Sequence, residues 1–337
     1  MADSSWQNPS AMSHQPISIT HLGGESCVTG SCHLLCAAGL NVMVDCGMAQ
    51  GNDPSLSMSE WPVKPAEIDY LFLTHAHIDH IGRLPELISN GFAGEIICSH
   101  PTKALLGPML GDAMSFSGLS SVQIGQLSIT IDDLSWGFEY GSSFQLKKGI
   151  TFKLGRAGHI LGSAFILFTV PSEDGSNYRV IFSGDLGNKN TPILPDPDSP
   201  DSCDLLILES TYGDRFHEGR ADRIRKLDHA LSRALADNGK VFIPAFSLGR
   251  TQEILFELDR LFHNEKWRNK KIPVFLDSPL GLKITQIYSG LARFWDKESK
   301  SLRDSGDHPF DFAHLYSVSR FQDHKTLVIV HRGIPRQ

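Results

Sequence analysis

The sequence predicts an α/β protein in which short apolar strands alternate with helices and polar side chains follow the strand ends. Residues 70–73, 95–99 and 178–182 are short apolar runs of the kind that form buried strands. Helical patterns such as residues 81–88 and 221–238 separate these runs. Since open α/β sheets bind ligands at the carboxyl ends of their strands, the same pattern predicts a site at one sheet edge.

Length and composition indicate a globular protein with two domains. The chain has 337 residues, more than one domain usually holds, and 41% of them are hydrophobic while 20% are charged. No apolar run approaches the roughly 20 residues that span a bilayer. Residues 1–15 are polar and lack the apolar segment of a signal peptide. We therefore expect a cytoplasmic protein.

The charge distribution and the cysteine spacing say little about function. Net charge is −7, but residues 211–310 hold 18 Lys and Arg against 14 Asp and Glu, whereas the rest holds 13 against 24. The relatively basic part could contact phosphates, although a solvated charged face explains it equally well. The six cysteines form no Cys-x-x-Cys pair, which favours small buried thiols over disulfides or structural zinc.

The most informative motif is the six-residue segment 75–80, His-Ala-His-Ile-Asp-His, directly after the strand 70–73. Imidazole nitrogens and carboxylate oxygens are the non-sulfur ligands that zinc prefers, and a solvated polar loop explains such crowding poorly. If the chain is still extended there, His75 and His77 point the same way and bind one metal. Asp79 and His80 lie beyond a turn and reach a second metal. The spacing thus predicts two metals and further ligands at other strand ends.

Strands and helices in the first half follow from the same periodicities. Strands are predicted at residues 17–20, 33–35, 41–45 and 95–99, helices at 81–88, 103–114 and 127–136, and two strands within 143–154 around a turn at 147–149. Asp45 ends a buried strand, so its carboxylate is expected to face the site, although a strand-end turn is the ordinary role of such a residue.

Two later strand ends offer the missing metal ligands. His159 follows the strand 151–154 between Gly158 and Ile160, and it is the best candidate for a third imidazole on the first metal. Asp185 follows the strand 178–182, and its two oxygens can serve one metal each.

The second half combines helices bearing Arg and Lys with further strands. The helix 221–238 has a stripe of core residues, and strands are predicted at 240–246 and 272–276. Between strand 240–246 and helix 250–262 lie Ser247, Gly249, Arg250 and Thr251. Free backbone donors at a helix start, with a hydroxyl and an Arg nearby, are typical of a phosphate-binding loop.

Three motifs together resemble a known family. The His-x-His-x-Asp-His segment at 75–80, Glu-Ser-Thr-Tyr-Gly at 209–213 and Gly-Arg-Thr-Gln-Glu at 249–253 resemble the metallo-β-lactamase superfamily in its β-CASP branch of nucleic-acid-processing nucleases. The resemblance covers about residues 17–327. It implies an αββα sandwich with an inserted β-CASP α/β cap domain. The expected division is a polar tail (1–16), the metallo-β-lactamase domain (17–210), a partial β-CASP domain (211–327) and an unmatched tail (328–337).

The resemblance also implies a chemistry. It is zinc-dependent hydrolysis of RNA phosphodiester bonds by a hydroxide shared between two metals. The expected cleavage is endonucleolytic, and a 5′-exonucleolytic mode stays open. The implied metal ligands are His75, His77, Asp79, His80, His159 and Asp185, the last bridging both ions. Asp45, Asp79 and Glu209 are the implied catalytic carboxylates; Asp45 orients ligands, and Glu209 holds a catalytic His. Ser247, Gly249, Arg250 and Thr251 are expected to grip substrate phosphates. The expected partners are single-stranded RNA and a second copy of the chain.

The end of the sequence departs from the family pattern. The general-acid His and the last His ligand of the second metal are not found, and residues 328–337 do not match. His331 is the substitute ligand that this tail offers. Two alternatives therefore stay open: a catalytically impaired remnant that binds metal or RNA, and a small-molecule hydrolase of the β-lactamase or thioesterase type. DNA is a weaker alternative substrate, since a phosphate grip does not detect the 2′-hydroxyl.

Overall fold

A computed structural model describes residues 17–172, 175–215, 222–236 and 240–318. The predicted tails 1–16 and 328–337, and with them His331, lie outside the described residues. The division between the two domains at residues 210 and 211 stays a prediction.

A six-stranded mixed sheet forms the first half of the core. Its strands are β1 (Ser18–Gly23), β2 (Cys32–Ala37), β3 (Leu40–Val44), β4 (Tyr70–Phe72), β5 (Glu95–Ser99) and β6 (Ser135–Phe138), in that spatial order. Strands β1 to β3 pair antiparallel, whereas β3 to β6 pair parallel. The carboxyl ends of β3 and β4 therefore lie side by side, as the sequence predicted for Asp45 and the 75–80 segment.

A five-stranded sheet packs against the first. It consists of β7 (Ser143–Gln145), β8 (Thr151–Arg156), β9 (Ala164–Pro171), β10 (Asn177–Phe182) and β11 (Leu205–Ile207), in the order β11-β10-β9-β8-β7. Only β10 and β11 pair parallel in this sheet. Between the sheets, the ring of Phe72 meets those of Phe152 and Phe168 edge to face, with centroids 4.9 and 4.8 Å away. Buried edge-to-face ring pairs add to the stabilisation from buried apolar surface, and they fix the two sheets relative to each other.

Four helices cover the outer face of the first sheet. They are α1 (Ile78–Ile81), α2 (Leu84–Ser89), α3 (His100–Ser115) and α4 (Ser121–Leu134). Their buried side chains share one apolar cluster with the outward-facing residues of the sheet. None of these helices, nor any other in the described part of the chain, is long and apolar enough to cross a membrane. All six cysteines are free thiols, and Cys32, Cys46 and Cys98 are buried.

Two helix boundaries differ from the predictions. The predicted helix 81–88 is broken between α1 and α2, because the Arg83 amide donates to the carbonyl of Cys46 and Pro85 fits only a helix start. The predicted helix 127–136 begins earlier, since Ser120 and Gln123 form a capping box, and it ends at Leu134. Trp136 instead lies in β6, opposite Ile97.

The second region is mostly helical. It contains α5 (Arg223–Ala234), α6 (Arg250–Phe262), α7 (Pro279–Gly290) and α8 (Lys297–Asp304), with the parallel pair β12 (Val274–Leu276) and β13 (Leu315–Ser317). Apolar residues of α6 and α7 belong to the same buried cluster as those of α3. The hydroxyl of Tyr288 on α7 also accepts a 3.3 Å hydrogen bond from the amide of Leu161. The second region therefore packs directly on the first.

The predicted strand 240–246 is absent. These residues have no regular structure, and no strand in the described ranges pairs with them. Phe242 is 85% exposed. An apolar run forms a strand only where a neighbouring strand supplies hydrogen bonds, which a local pattern does not reveal.

Candidate metal centre

The chain leaves β4 in an extended conformation, which sets the positions of the first two imidazoles. His77 has an extended backbone (φ −70°, ψ 148°) and immediately precedes α1. His75 and His77 therefore emerge from an extended segment, whereas Asp79 and His80 lie in the first turns of α1. This is the change of direction that the spacing predicted.

Three ring nitrogens converge at one point. Nδ1 of His77 lies 3.1 Å from Nε2 of His75 and 3.2 Å from Nε2 of His159. A proton on one nitrogen can bridge only one of these pairs, whereas a cation among them accepts a lone pair from all three. Together with Asp185, these residues place one donor atom each within 4.8 Å of the others.

Asp185 lies between this cluster and a second group of donors. Its Oδ2 is 3.6 Å from Nε2 of His159 and 3.9 Å from Nε2 of His75. Its Oδ1 is 3.2 Å from Nε2 of His80, which in turn is 3.9 Å from Oδ2 of Asp79. The two oxygens of one carboxylate thus face two separate donor groups.

Asp45 fixes the orientation of His80. The buried carboxylate accepts a 2.7 Å hydrogen bond from Nδ1 of His80 and hydrogen bonds from the amide and hydroxyl of Thr74. With Nδ1 donating to Asp45, Nε2 is the ring nitrogen that faces Asp185 and would bind a metal after losing its own proton, and the carboxylate on Nδ1 is a support typical of metal-binding histidines. Asp45 has a positive φ of 59°, a conformation in which Asp and Asn are among the few tolerated non-glycine residues.

Burial keeps the first three imidazoles neutral. Desolvation, followed by the neighbouring imidazoles, lowers the pKa of His75 well below its usual range and that of His159 to about 4. Desolvation also lowers the pKa of His77. Neutral imidazole is the form that binds a metal.

At His80 and Asp185, neighbouring charges outweigh burial in setting the pKa values. Burial opposes the charging of His80, but Asp45 and Asp185 outweigh it and raise the pKa of His80 well above its usual range. Burial raises the pKa of Asp185 as well, but His80 and the other imidazoles outweigh this and lower it to about 2. Asp185 is therefore a carboxylate at neutral pH, and the donor set of imidazoles and carboxylates fits a divalent metal such as zinc.

Glu209 lies beside the loop that carries Asp185. Its Oε1 accepts a hydrogen bond from the amide of Leu186 (3.0 Å), and its Oε2 accepts one from the amide of Thr211 (3.1 Å). In this position the carboxylate holds the backbone next to Asp185. The predicted contact of Glu209 with a catalytic His stays a prediction.

The predicted phosphate-binding loop reaches the metal centre. The backbone of Leu248 lies close enough to His77 to affect its pKa, and Gly249 packs against Ile160, next to His159. Within the loop, the amide of Gly249 donates to the side chain of Gln252 and the hydroxyl of Thr251 to the carbonyl of Phe246.

The other two side chains of the predicted phosphate-binding set, those of Ser247 and Arg250, pair with neighbouring polar groups. The Ser247 hydroxyl lies 3.2 Å from that of Ser278, and the Arg250 side chain, 56% exposed, donates to Glu253. Gly249 and Thr251 therefore shape the loop, and the predicted phosphate contacts of Ser247, Gly249, Arg250 and Thr251 stay a prediction.

Two supporting residues were missed by the sequence predictions. Thr74 is buried and binds both Asp45 and Nδ1 of His75, and the Ser163 hydroxyl accepts the His159 amide at 2.9 Å. Thr74 directly precedes the His motif, and that adjacency was an available signal. Ser163 is four residues beyond His159, and no local pattern distinguishes it from any other loop serine.

Comparison with known proteins follows the two halves of the chain. The model of the metallo-beta-lactamase superfamily matches residues 26–245, and that of the Beta-Casp domain matches residues 251–334. "Ribonuclease TTHA0252" of Thermus thermophilus is 35% identical over 316 residues, which cover 92% of this chain and 69% of that protein.

Eukaryotic relatives are longer. "Endoribonuclease YSH1" of Saccharomyces cerevisiae is 31% identical over 90% of this chain and 41% of its own length. "Cleavage and polyadenylation specificity factor 73" of Drosophila melanogaster is 30% identical over 93% of this chain and 46% of its own length. The chain thus spans about two thirds of the bacterial relative and less than half of these two eukaryotic ones.

Proposed function

Because this chain belongs to the metallo-β-lactamase superfamily, in its β-CASP branch, we propose that it hydrolyses RNA phosphodiester bonds with the help of two bound zinc ions. The observation that carries the proposal is Asp185, whose two oxygens face separate groups of imidazole and carboxylate donors. The relatives named ribonuclease and endoribonuclease support RNA as the substrate.

The two metal sites that we propose differ in their protein ligands. His75, His77, His159 and Asp185 would hold the first ion, and Asp79, His80 and Asp185 the second. Three ligands from the protein leave open positions on the second ion, as in catalytic zinc sites. Bound there, the two ions supply Lewis acidity toward water and toward the phosphate oxygens.

The protein's own contribution is to orient and to position. Asp45 holds His80 in one tautomer, and Glu209 fixes the loop that carries Asp185. Arg250 and Ser247 would hold a phosphate of the substrate at the edge of the centre, where Gly249 of the same loop packs against Ile160, next to His159. Holding the scissile phosphate close to the donor groups turns the attack into an effectively intramolecular reaction.

The proposed substrate is single-stranded and read with little sequence preference. The outward groups of the loop, Arg250 and Ser247, suit a phosphate and offer no pattern of donors and acceptors for base edges. The domain division at residues 210 and 211 is part of the proposal, since β11 is the last strand of the second sheet in the described chain and ends at Ile207.

The experiment that tests the proposal combines metal content with RNA cleavage. The purified chain should carry about two zinc ions and cleave a single-stranded RNA, in circular as well as linear form if it is an endonuclease. His77→Ala should lose metal and cleavage together, whereas His229→Ala, which changes an exposed imidazole on α5, should retain both.

Three results would contradict the proposal in different ways. If His77→Ala still cleaves RNA, the metal centre is not needed for the reaction. Full metal content without RNA cleavage, but with hydrolysis of a lactam or thioester, would favour the small-molecule hydrolase. If the unaltered chain binds no zinc and has no turnover, the impaired remnant is favoured. A single-stranded DNA substrate tested in parallel distinguishes DNA from RNA as the substrate.

A further inference from the structure

A second cluster of donor groups lies at the end of α6, apart from the metal centre. It consists of Asp259 in the last turn of α6, His263 directly after that helix, and Asp307 in the loop after α8. One donor atom of each residue lies within 4.8 Å of the other two. None of the three belongs to the donor groups around Asp185.

Asp259 is the unusual member of this cluster. The residue is only 2% exposed, and its Oδ1 is buried without a hydrogen-bond partner among the described residues. The ring nitrogen Nδ1 of His263 is 3.7 Å away, too far for a hydrogen bond. A buried carboxylate oxygen without a partner has lost its hydration without compensation, so it calls for a ligand.

His263 is positioned to supply a lone pair. Its Nδ1 lies 2.9 Å from the backbone carbonyl of Asp259, and since a carbonyl only accepts, Nδ1 carries the proton. In the neutral ring the other nitrogen is then unprotonated, and a cation bound there would displace the proton that the raised pKa of His263 otherwise favours. A backbone carbonyl that fixes the tautomer in this way is the usual support of a metal-binding histidine.

The cluster holds two carboxylates against one imidazole. The hydrogen bond to the backbone carbonyl of Asp259, followed by the Asp259 and Asp307 carboxylates, raises the pKa of His263. Burial and then Asp307 raise the pKa of Asp259 to about 6, as expected for two neighbouring carboxylates. In the described part of the chain, no Lys or Arg nitrogen pairs with either carboxylate within 4.0 Å. The adjacent Arg260 donates to Glu298 instead, at 2.7 Å.

We propose that Asp259, His263 and Asp307 form a further divalent-metal site of the zinc class, which clips the end of α6 to the loop after α8. A bound cation accepts the buried Oδ1, offsets the repulsion between the two carboxylates and uses the open nitrogen of His263. One imidazole and two carboxylates are ligands that zinc accepts, with room for water at the remaining position. The site is structural, because it lies apart from the groups proposed to act on RNA.

The first test measures zinc stoichiometry on the full chain. After equilibration with excess Zn²⁺ and removal of loose metal, the unaltered protein should retain one equivalent more than His263→Gln or Asp307→Asn. Titration with Zn²⁺ should show at least a tenfold weaker affinity for that equivalent in both variants. Asp304→Asn, an exposed acid at the end of α8, is the matched control and should retain the full stoichiometry.

RNA cleavage separates this site from the metal centre. His263→Gln should lose the extra equivalent and keep its cleavage rate, whereas His77→Ala should lose cleavage and keep the extra equivalent. If His263→Gln and Asp307→Asn retain as much zinc as the unaltered chain and Asp304→Asn, the additional site is overturned. The proposed function would not be affected by that result.

A second measurement distinguishes a metal from a shared proton. Zinc should raise the thermal unfolding midpoint of the unaltered chain more than that of Asp307→Asn. If a proton between the two carboxylates satisfies the cluster instead, Asp259→Asn at pH 7 will be at least as stable as the unaltered chain, with no difference in its response to zinc. That result would overturn the proposal.

Discussion

The carboxylate of Asp45 accepts a 2.7 Å hydrogen bond from Nδ1 of His80, and this bond leaves Nε2 of the same ring 3.2 Å from Asp185. The two residues come from the ends of adjacent parallel strands, β3 and β4, and from the turn that begins α1. Their contact is why the second donor group has a defined orientation before any ion binds. A preorganised donor binds its ligand without an additional ordering cost.

We predict that Asp45→Asn weakens the second metal without unfolding the chain. An amide can still accept from Thr74, but it no longer carries the charge that holds Nδ1 of His80 protonated. Loss of such a supporting partner typically lowers metal affinity by about 10–100-fold. Zinc titration should show this loss in one of the two equivalents, with Asp112→Asn on the exposed face of α3 as the control. Unchanged affinity for both ions would refute the role of Asp45.

Asp79 and Asp185 should differ in the number of metals that they control. Asp79 lies within 4.0 Å of the His80 ring, whereas Asp185 lies within that distance of imidazoles in both donor groups. Asp79→Asn should therefore reduce zinc content from about two ions to about one, and Asp185→Ala should weaken both. Elemental analysis after dialysis measures this directly. If Asp185→Ala retained a full first site, Asp185 would not be a shared ligand.

Gly249→Ala should destabilise the loop beside the metal centre. Gly249 has a φ of 86°, and a Cβ there would lie 2.8 Å from Cγ2 of Ile160. We expect a loss of about 1–3 kcal/mol in the free energy of unfolding, measured by denaturant titration, together with weaker RNA binding. Gly111→Ala in α3 is the matched control. Nothing lies within 4 Å of its Cβ position, so this variant should gain up to about 1 kcal/mol.

Glu209 should affect the rate more than the metal content. Its two oxygens accept the amides of Leu186 and Thr211, and no donor atom of the metal centre contacts it. Glu209→Ala should displace the backbone next to Asp185 and lower RNA cleavage by about 10-fold or more, while Glu209→Gln, which retains an acceptor oxygen, should lose less. Steady-state cleavage with parallel zinc analysis tests this. Equal rates for both variants and the unaltered chain would exclude the positioning role.

His33 should make stability depend on pH. Burial, and to a lesser degree His21, lowers the pKa of His33 to about 4, against 6.5 in an unfolded chain. Between these pH values the unfolded chain binds more protons, so stability falls as the pH drops from about 6.5 toward 4. The effect is on the order of 3 kcal/mol at its maximum.

Replacement of His33 by Gln should flatten this part of the profile. Urea titrations at a series of pH values measure the slope. His229→Gln is the matched control, because that exposed side chain on α5 contacts neither His21 nor His33. A profile for His33→Gln that keeps the full slope would assign the pH dependence to other groups.

The sequence predicted which imidazoles and carboxylates converge because they follow strand ends, while the number of metal ions stays a prediction. His75 and His77 follow β4 and Asp45 follows its parallel neighbour β3, so their strand ends lie at one edge, whereas Asp185 follows β10 of the sheet packed against it. The predicted strand at 240–246 was wrong because pairing depends on a distant partner, and the described structure provides none. Thr74 and Ser163 were missed for the related reason that a hydroxyl becomes a support only through its tertiary neighbours.

The backbone of Asp45 limits which mutations a lineage carrying this centre can accept. Its positive φ favours Gly, Asn or Asp, whereas the hydrogen bond to His80 is strongest with a carboxylate, from Asp or Glu. Aspartate alone satisfies both conditions. A single nucleotide change to an Asn codon preserves the turn and removes the charge, so drift at this position should first erode metal affinity while the fold persists.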